Sequence, residues 1–125
     1  MATTREFNNQ ITGFLAGADL SSSQYKPVKL ASTAGEVVAA TAADKAAISI
    51  IQNDPADGEA ALLPGPGDIA KAVAGASDIA AGEWVVANSS GVVDVTTGFV
   101  IGIALEGSSA VGDYIRVLIQ PGEQA

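Results

Sequence analysis

Cysteine and histidine are both absent from the 125 residues. Without cysteine there is no disulfide framework and no thiolate metal site. Without histidine the commonest proton shuttle and metal ligand are missing. The Ser-His-Asp and Cys-His nucleophile arrangements are closed as well. Aromatic residues are scarce, at 5%, so a core must be built from thin layers of Ala and Val. Charged residues make up only 16%, against a usual ~25%. Their balance is acidic, with six basic and fourteen acidic side chains and a net charge of −8. Phosphate recognition needs clustered Lys and Arg, so this sign argues against nucleic acid and against anionic membrane surfaces. Long apolar runs are missing too. The best, FVIGIAL at 99–105, is far too short to cross a bilayer. The N-terminal MATTREFNNQITG lacks the basic-then-apolar plan of a signal peptide. The expectation is a product made in the cytoplasm and not exported by an ordinary signal.

What is present is small and apolar. Hydrophobic residues reach 48%, in a chain long enough for one domain. A body of this size buries only about two-thirds of its unfolded surface, so self-association would help it. Low charge with abundant Ala, Gly and Val implies that much of the surface faces other protein.

Residues 1–24 differ in texture. They are polar and contain no Val, yet they hold two of the three phenylalanines. Phe7, Ile11, Phe14 and Leu15 are spaced as one helix face, interrupted by Gly13. The expectation is either a frayed terminus or an N-terminal arm over 1–24 that orders on a partner. The body is then 25–125.

From Tyr25 the texture becomes β. Strands are expected in YKPVKLAST, GEVVAAT, AISIIQN, GEWVVAN, VVDVTT, FVIGIALEG and YIRVLIQ, separated by turns rich in Gly, Ser, Asp and Pro. Pro27 suits an edge or a strand start. DIAKAVAGA, 68–76, reads as a short helix with Asp68 as N-cap and Gly75 at its end. A strand is the alternative if Ile69, Lys71 and Val73 share a face. A repeat underlies the pattern: Leu20 precedes Tyr25 as Ile79 precedes Trp84, and Gly35 precedes Val37-Val38 as Gly91 precedes Val92-Val93. The fold class is therefore mainly β, a small barrel or sandwich built from two related hairpin units.

Candidate chemistry is thin. Asp54, Asp57 and Glu59 cluster around DPADG, where short acids initiate turns and stay solvated; the EF-hand order is absent. GPGDIA at 65–70 matches a dinucleotide-binding pattern in letters. Pro64 and Pro66 remove the N–H groups that would cradle a pyrophosphate, so the stretch reads as a linker. Asn88-Ser89-Ser90 is formally a glycosylation sequon and reads as a hairpin turn. Tyr25, Trp84, Phe99 and Tyr114 are expected in core or interface packing. No catalytic residue, metal ligand or cofactor site is assigned, and the chain is expected not to be an enzyme.

AGASDIAAGEWVVANSSGVVDV followed by GFVIGIALEGSSAVGDYIRVLIQP resembles the capsid cement, or head decoration, proteins of tailed bacteriophages. The resemblance rests on the order of Ala74 to Val86, Gly91, Ile101 to Leu105 and Tyr114 to Ile119, and it covers roughly residues 16–122. It is similar in composition to the lambda-type decoration proteins. It implies a non-enzymatic clamp on the outer capsid surface of a virion. The clamp sits as a homotrimer at three-fold and quasi-three-fold positions, with the major capsid protein as partner. It implies further that the arm, through Arg5, Phe7, Ile11, Phe14 and Leu15, contacts the capsid. The competing readings are another virion β-module, such as a head fibre base or tail component, and a glycan-binding domain.

Overall fold

The computed structural model of the chain describes residues 10–43, 46–94 and 98–123. Nine strands occur among them: β1 Leu15–Ala16, β2 Pro27–Leu30, β3 Glu36–Ala39, β4 Ala47–Ile50, β5 Ile69–Val73, β6 Trp84–Asn88, β7 Gly91–Val93, β8 Phe99–Ala104 and β9 Tyr114–Glu123. They form a four-stranded sheet, β1-β3-β2-β4, and a five-stranded sheet, β5-β9-β8-β6-β7. The mainly-β class and the two-unit architecture expected from the sequence both hold.

Each sheet is drawn towards closure by its own ends. In the first unit Leu15 pairs in parallel with Glu36 of β3 and bridges Ala60 on its other side. The 60–63 segment in turn bonds the continuation of β4, where Gln52 N–H donates to the Leu62 carbonyl at 3.0 Å. In the second unit β5 pairs with β9, and a parallel bridge from Ala74 to Val92 joins its end to β7.

Many hydrogen bonds of the two units correspond. Ala16 N–H donates to the Glu59 carbonyl and Ala74 N–H to that of Asp113. Gly17 donates to Val37 as Gly75 does to Val92, and Gln52 to Leu62 as Leu105 does to Arg116. Tyr25 N–H donates to the Ile51 carbonyl at 2.7 Å, and Gly82 N–H to that of Ala104 at 2.7 Å. The structural counterpart of Tyr25 is thus Gly82, not Trp84, whose counterpart is Pro27. The match of Tyr25 with Trp84 on paper is two residues out of register.

The duplication reaches the cores. One cluster gathers Ala16, Leu20, Val28, Val37, Ile51 and Leu63. Their counterparts Ala74, Ile79, Val85, Val92, Ala104 and Val117 lie in the other cluster. That second cluster also takes in Ala40, Ala47 and Ile50 from the first unit, so it doubles as the seam between the two.

Three expectations are corrected here. The short helix at 68–76 is strand β5. Ala70 and Ala72 are fully buried while Ile69 and Lys71 are exposed, a two-residue period. Pairing with β9 along five residues overrides the helical preference of alanine. Asp68 accepts a bond from Gly65 N–H within a turn instead of capping a helix. Ile11, Phe14 and Leu15 do not share a helix face either, because Ile11 bridges Leu63 and Leu15 bridges Ala60, with a bend at Gly13 between them. Finally, residues 10–24 are not an arm separate from the body. Ala16 and Leu20 are core, at 0% and 2% exposure, and this stretch supplies the first strand of the first unit, as β5 does for the second. Residues 1–9 lie outside the described residues.

Candidate interaction surface

Among the described residues no group of three acidic side chains is placed to hold a metal ion. The acids around DPADG serve the turn: Glu59 Oε1 accepts from Ala56 N–H at 2.8 Å. Its counterpart Asp113 accepts from the N–H groups of Ser109 and Ala110, and these bonds hold its carboxyl below the usual aspartate range. The GPGDIA stretch is a tight connection, with Gly67 N–H bonded to the Ile119 carbonyl at 2.8 Å. Asn88 Oδ1 accepts from Ser90 N–H, which makes the sequon a hairpin turn.

The residues singled out in the sequence scatter. Arg5 and Phe7 lie outside the described residues. Ile11 and Phe14 are half-buried and pack on the first core, so both are committed to the fold. Leu15 points outward at 43% exposure. Phe99 is half-buried at the start of β8. Trp84 and Tyr114 are not core: they are 42% and 59% exposed.

Two of the aromatics do meet. Tyr25 and Tyr114 contact edge to face, with ring centroids 5.5 Å apart and planes at 80°. Lys71 Nζ lies 4.8 Å from the Tyr25 ring centre and 4.5 Å from that of Tyr114, a double cation–π contact. Tyr25 reaches this position with φ at +67°, the one non-glycine residue in the left-handed region among those described. Its carbonyl accepts from Val73 N–H at 2.8 Å, tying β5 to the first unit. Gln52 continues that tie. Its side-chain amide donates to the Lys71 carbonyl and accepts from Lys71 N–H, as a neighbouring strand would.

Beside this junction runs an open groove of about 440 Å³, lined by Gln52, Ile69, Lys71, Glu106, Tyr114 and Arg116 among others. Arg116 and Glu106 form an exposed ion pair at 3.3 Å on its rim. An adjoining hollow shares Gln52 and Ile69 and adds Leu62 and Pro64. Exposed apolar side chains cluster here: Leu62 at 44%, Ile69 at 58% and Tyr114 at 59%. The sequence reading missed Gln52 and Lys71. The signal for Lys71 was the alternation of Ile69, Lys71 and Val73; Gln52 carried none, since its partner is fixed by tertiary contact.

Near Trp84 the charge is acidic. Burial pushes the Asp94 carboxyl above its usual range, and the nearby Asp78 and Glu83 push it further in the same direction. A scan of known protein families finds no match for this chain, and a search of curated proteins finds none either.

Proposed function

We propose that the chain is a non-enzymatic capsid decoration protein of a tailed phage. It binds the outer surface of the expanded shell and stabilises it by bridging neighbouring capsomers, as a homotrimer at three-fold and quasi-three-fold sites. One observation carries the reading: the most conspicuous chemistry on the surface is apolar and open, in the form of exposed Leu62, Ile69, Trp84 and Tyr114 on a rigid β-body. Such a surface favours protein contact over turnover. The acidic balance suits an outer face away from packaged DNA, and the resemblance of residues 16–122 to decoration proteins points the same way. Of the arm residues tied to the capsid by that resemblance, Leu15 is exposed, while Ile11 and Phe14 are engaged in packing.

The test is co-sedimentation with expanded, protein-free capsids, counting bound chains per capsid protein. Saturation at a fixed ratio together with heat-resistant shells is the expected result. A second reading is favoured by the exposure of Trp84, which offers a stacking face for a sugar ring. Quenching of Trp84 by soluble glycans, with no capsid binding, would favour a glycan-binding module.

A further inference from the structure

Lys71 of β5 stands directly opposite Arg116 of β9. Like charges opposed across strands destabilise a sheet, and this chain has only six basic residues against fourteen acidic ones. The repeated frame does not require the pairing, since Leu62 holds the place of Arg116 in the first unit. Both side chains point outward, because Ala70, Ala72, Ile115 and Val117 beside them in the chain are buried.

The neighbouring acids leave this row with excess positive charge. Glu106 Oε2 accepts from Arg116 N–H at 3.0 Å and lies 3.3 Å from Arg116 Nε. It therefore balances one of the two charges and engages the inner nitrogen of the guanidinium, not its terminal ones. Asp68 and Asp113 are turned to backbone N–H groups, of Gly65 and of Ser109 and Ala110. Among the described residues no carboxylate pairs with Lys71. Its Nζ is held instead by the rings of Tyr25 and Tyr114, at 4.8 and 4.5 Å from their centres.

That hold is built on strain. Tyr25 reaches Lys71 from the left-handed region, at a place where the second unit has Gly82. Backbone kept in such a region by its surroundings gathers at ligand clamps. Here it fixes the ammonium beside the guanidinium on the wall of the groove of about 440 Å³. The rows on either side are apolar. Two residues along the strands, Ile69 opposes Leu118 in one direction and Val73 opposes Tyr114 in the other. An extended chain repeats its side chains on one face every second residue, at roughly 6.6 Å, which is the spacing of these three rows.

We propose that this face binds an extended acidic segment of a partner protein, of the pattern apolar-x-acid-x-apolar. Its carboxylate bridges Lys71 Nζ and the terminal nitrogens of Arg116. Its two apolar side chains lie on the Ile69–Leu118 row and the Val73–Tyr114 row. Charge complementarity selects this occupant: two copies of the chain meeting symmetrically through this face would set Lys71 and Arg116 against their own equivalents. The site stands independently of capsid binding.

The probes are two peptides blocked at both ends, Leu-Thr-Glu-Thr-Leu and Leu-Thr-Gln-Thr-Leu. Each is titrated into the isotope-labelled full-length chain and followed by amide NMR. The expected result is saturable shifts confined to β5, β9 and Gln52, with the Gln peptide at least about tenfold weaker than the Glu peptide. Lys71→Met and Arg116→Met should each bring the Glu peptide down towards the Gln peptide while leaving the Gln peptide where it was; unchanged shifts elsewhere show that the fold is kept. Equal affinity of the parent chain for both peptides would overturn the proposal, as would shifts on another face or no saturation at millimolar peptide. Spectra of the parent chain that change at β5 and β9 on dilution without peptide would overturn it too, since the occupant would then be a second copy.

Discussion

Tyr25 occupies a backbone position that its counterpart fills with glycine. Both stand in the left-handed region, at φ +67° for Tyr25 and +92° for Gly82. A side chain there costs roughly 1–2 kcal/mol, and the ring contacts with Tyr114 and Lys71 offset it. Comparing Tyr25→Gly with Tyr25→Ala separates the two effects. Both lose the ring, but the glycine variant is expected to be more stable by about 1 kcal/mol in denaturant unfolding. Trp84→Ala is expected to cost clearly less than the ~3–5 kcal/mol of a buried aromatic, because the indole is 42% exposed. Ile51→Ala, at a fully buried position, is expected to cost about 2–5 kcal/mol in the same assay. Asp94 gives a pH signature. Its carboxyl titrates above the ordinary 3.8 in the folded state, so the folded chain holds that proton more tightly than the unfolded one. Its ionisation therefore disfavours folding at neutral pH, and the penalty fades as pH falls through the raised value towards 3.8. Asp94→Asn is expected to melt higher than the parent at pH 7, with the gap closing in acid. An equal gap at both pH values would contradict this account.

Among the elements, the strands with paired valines or alternating aliphatics were legible before any coordinates. GEVV, WVV, FVIGIA and YIRVLI all became β-structure, because β-branched side chains fit a half-buried pleated surface. β1 and β5 were not legible in the same way. β5 is rich in alanine, so the alternation of Ile69, Lys71 and Val73 competed with a helical reading, and pairing with β9 decides for the strand. β1 is two residues long and exists through its neighbours Glu36 and Ala60. A clue was present in AGADL and AGASDI, which stand at corresponding places in the two units, at Ala16 and Ala74. The correspondence sets the expected result of truncation. Removing residues 1–24 takes away core Ala16 and Leu20, so that chain should lose its cooperative melting transition, while removal of 1–9 alone should leave it intact. Gly102 is a second element-scale test. A Cβ there would overlap the Leu118 carbonyl oxygen and crowd Val117 Cγ1 at 2.9 Å, beside the register shift between Val100 and Gly102. Gly102→Ala should break the β8–β9 pairing, seen as loss of amide exchange protection at Leu105, whose N–H donates to the Arg116 carbonyl of β9.

At the scale of the whole molecule, the candidate surface was the least legible part. Ile69, Trp84, Ile103 and Leu118 become neighbours only through registers that irregularities at Val85/Val86 and Val100/Gly102 have shifted. No periodicity in the sequence encodes such a row. The duplication was visible as paired Gly-Val-Val segments. Its alignment was not, because the loops of the two units differ in length, and Tyr25 and Trp84 matched by size while standing at different places in the turn. The shared cluster around Ile50 joins the two units energetically. Unfolding is therefore expected as one transition, with Trp84 fluorescence and far-UV circular dichroism coinciding. Ile50→Ala should lower both midpoints together.

Each unit is closed by its own first and last strands, and this sets an order on synthesis. As the chain leaves the ribosome, Leu15–Ala16 can pair with β3 first, and the first unit closes only when 60–63 has emerged. Ile50 then waits longer, since the cluster that covers it is completed by Ile115, Val117 and Ile119 of β9. A nascent chain paused between the two units would carry a closed first ring with an oily, uncovered flank. That intermediate is where a holding chaperone would bind and where crowded translation would cost most in aggregation.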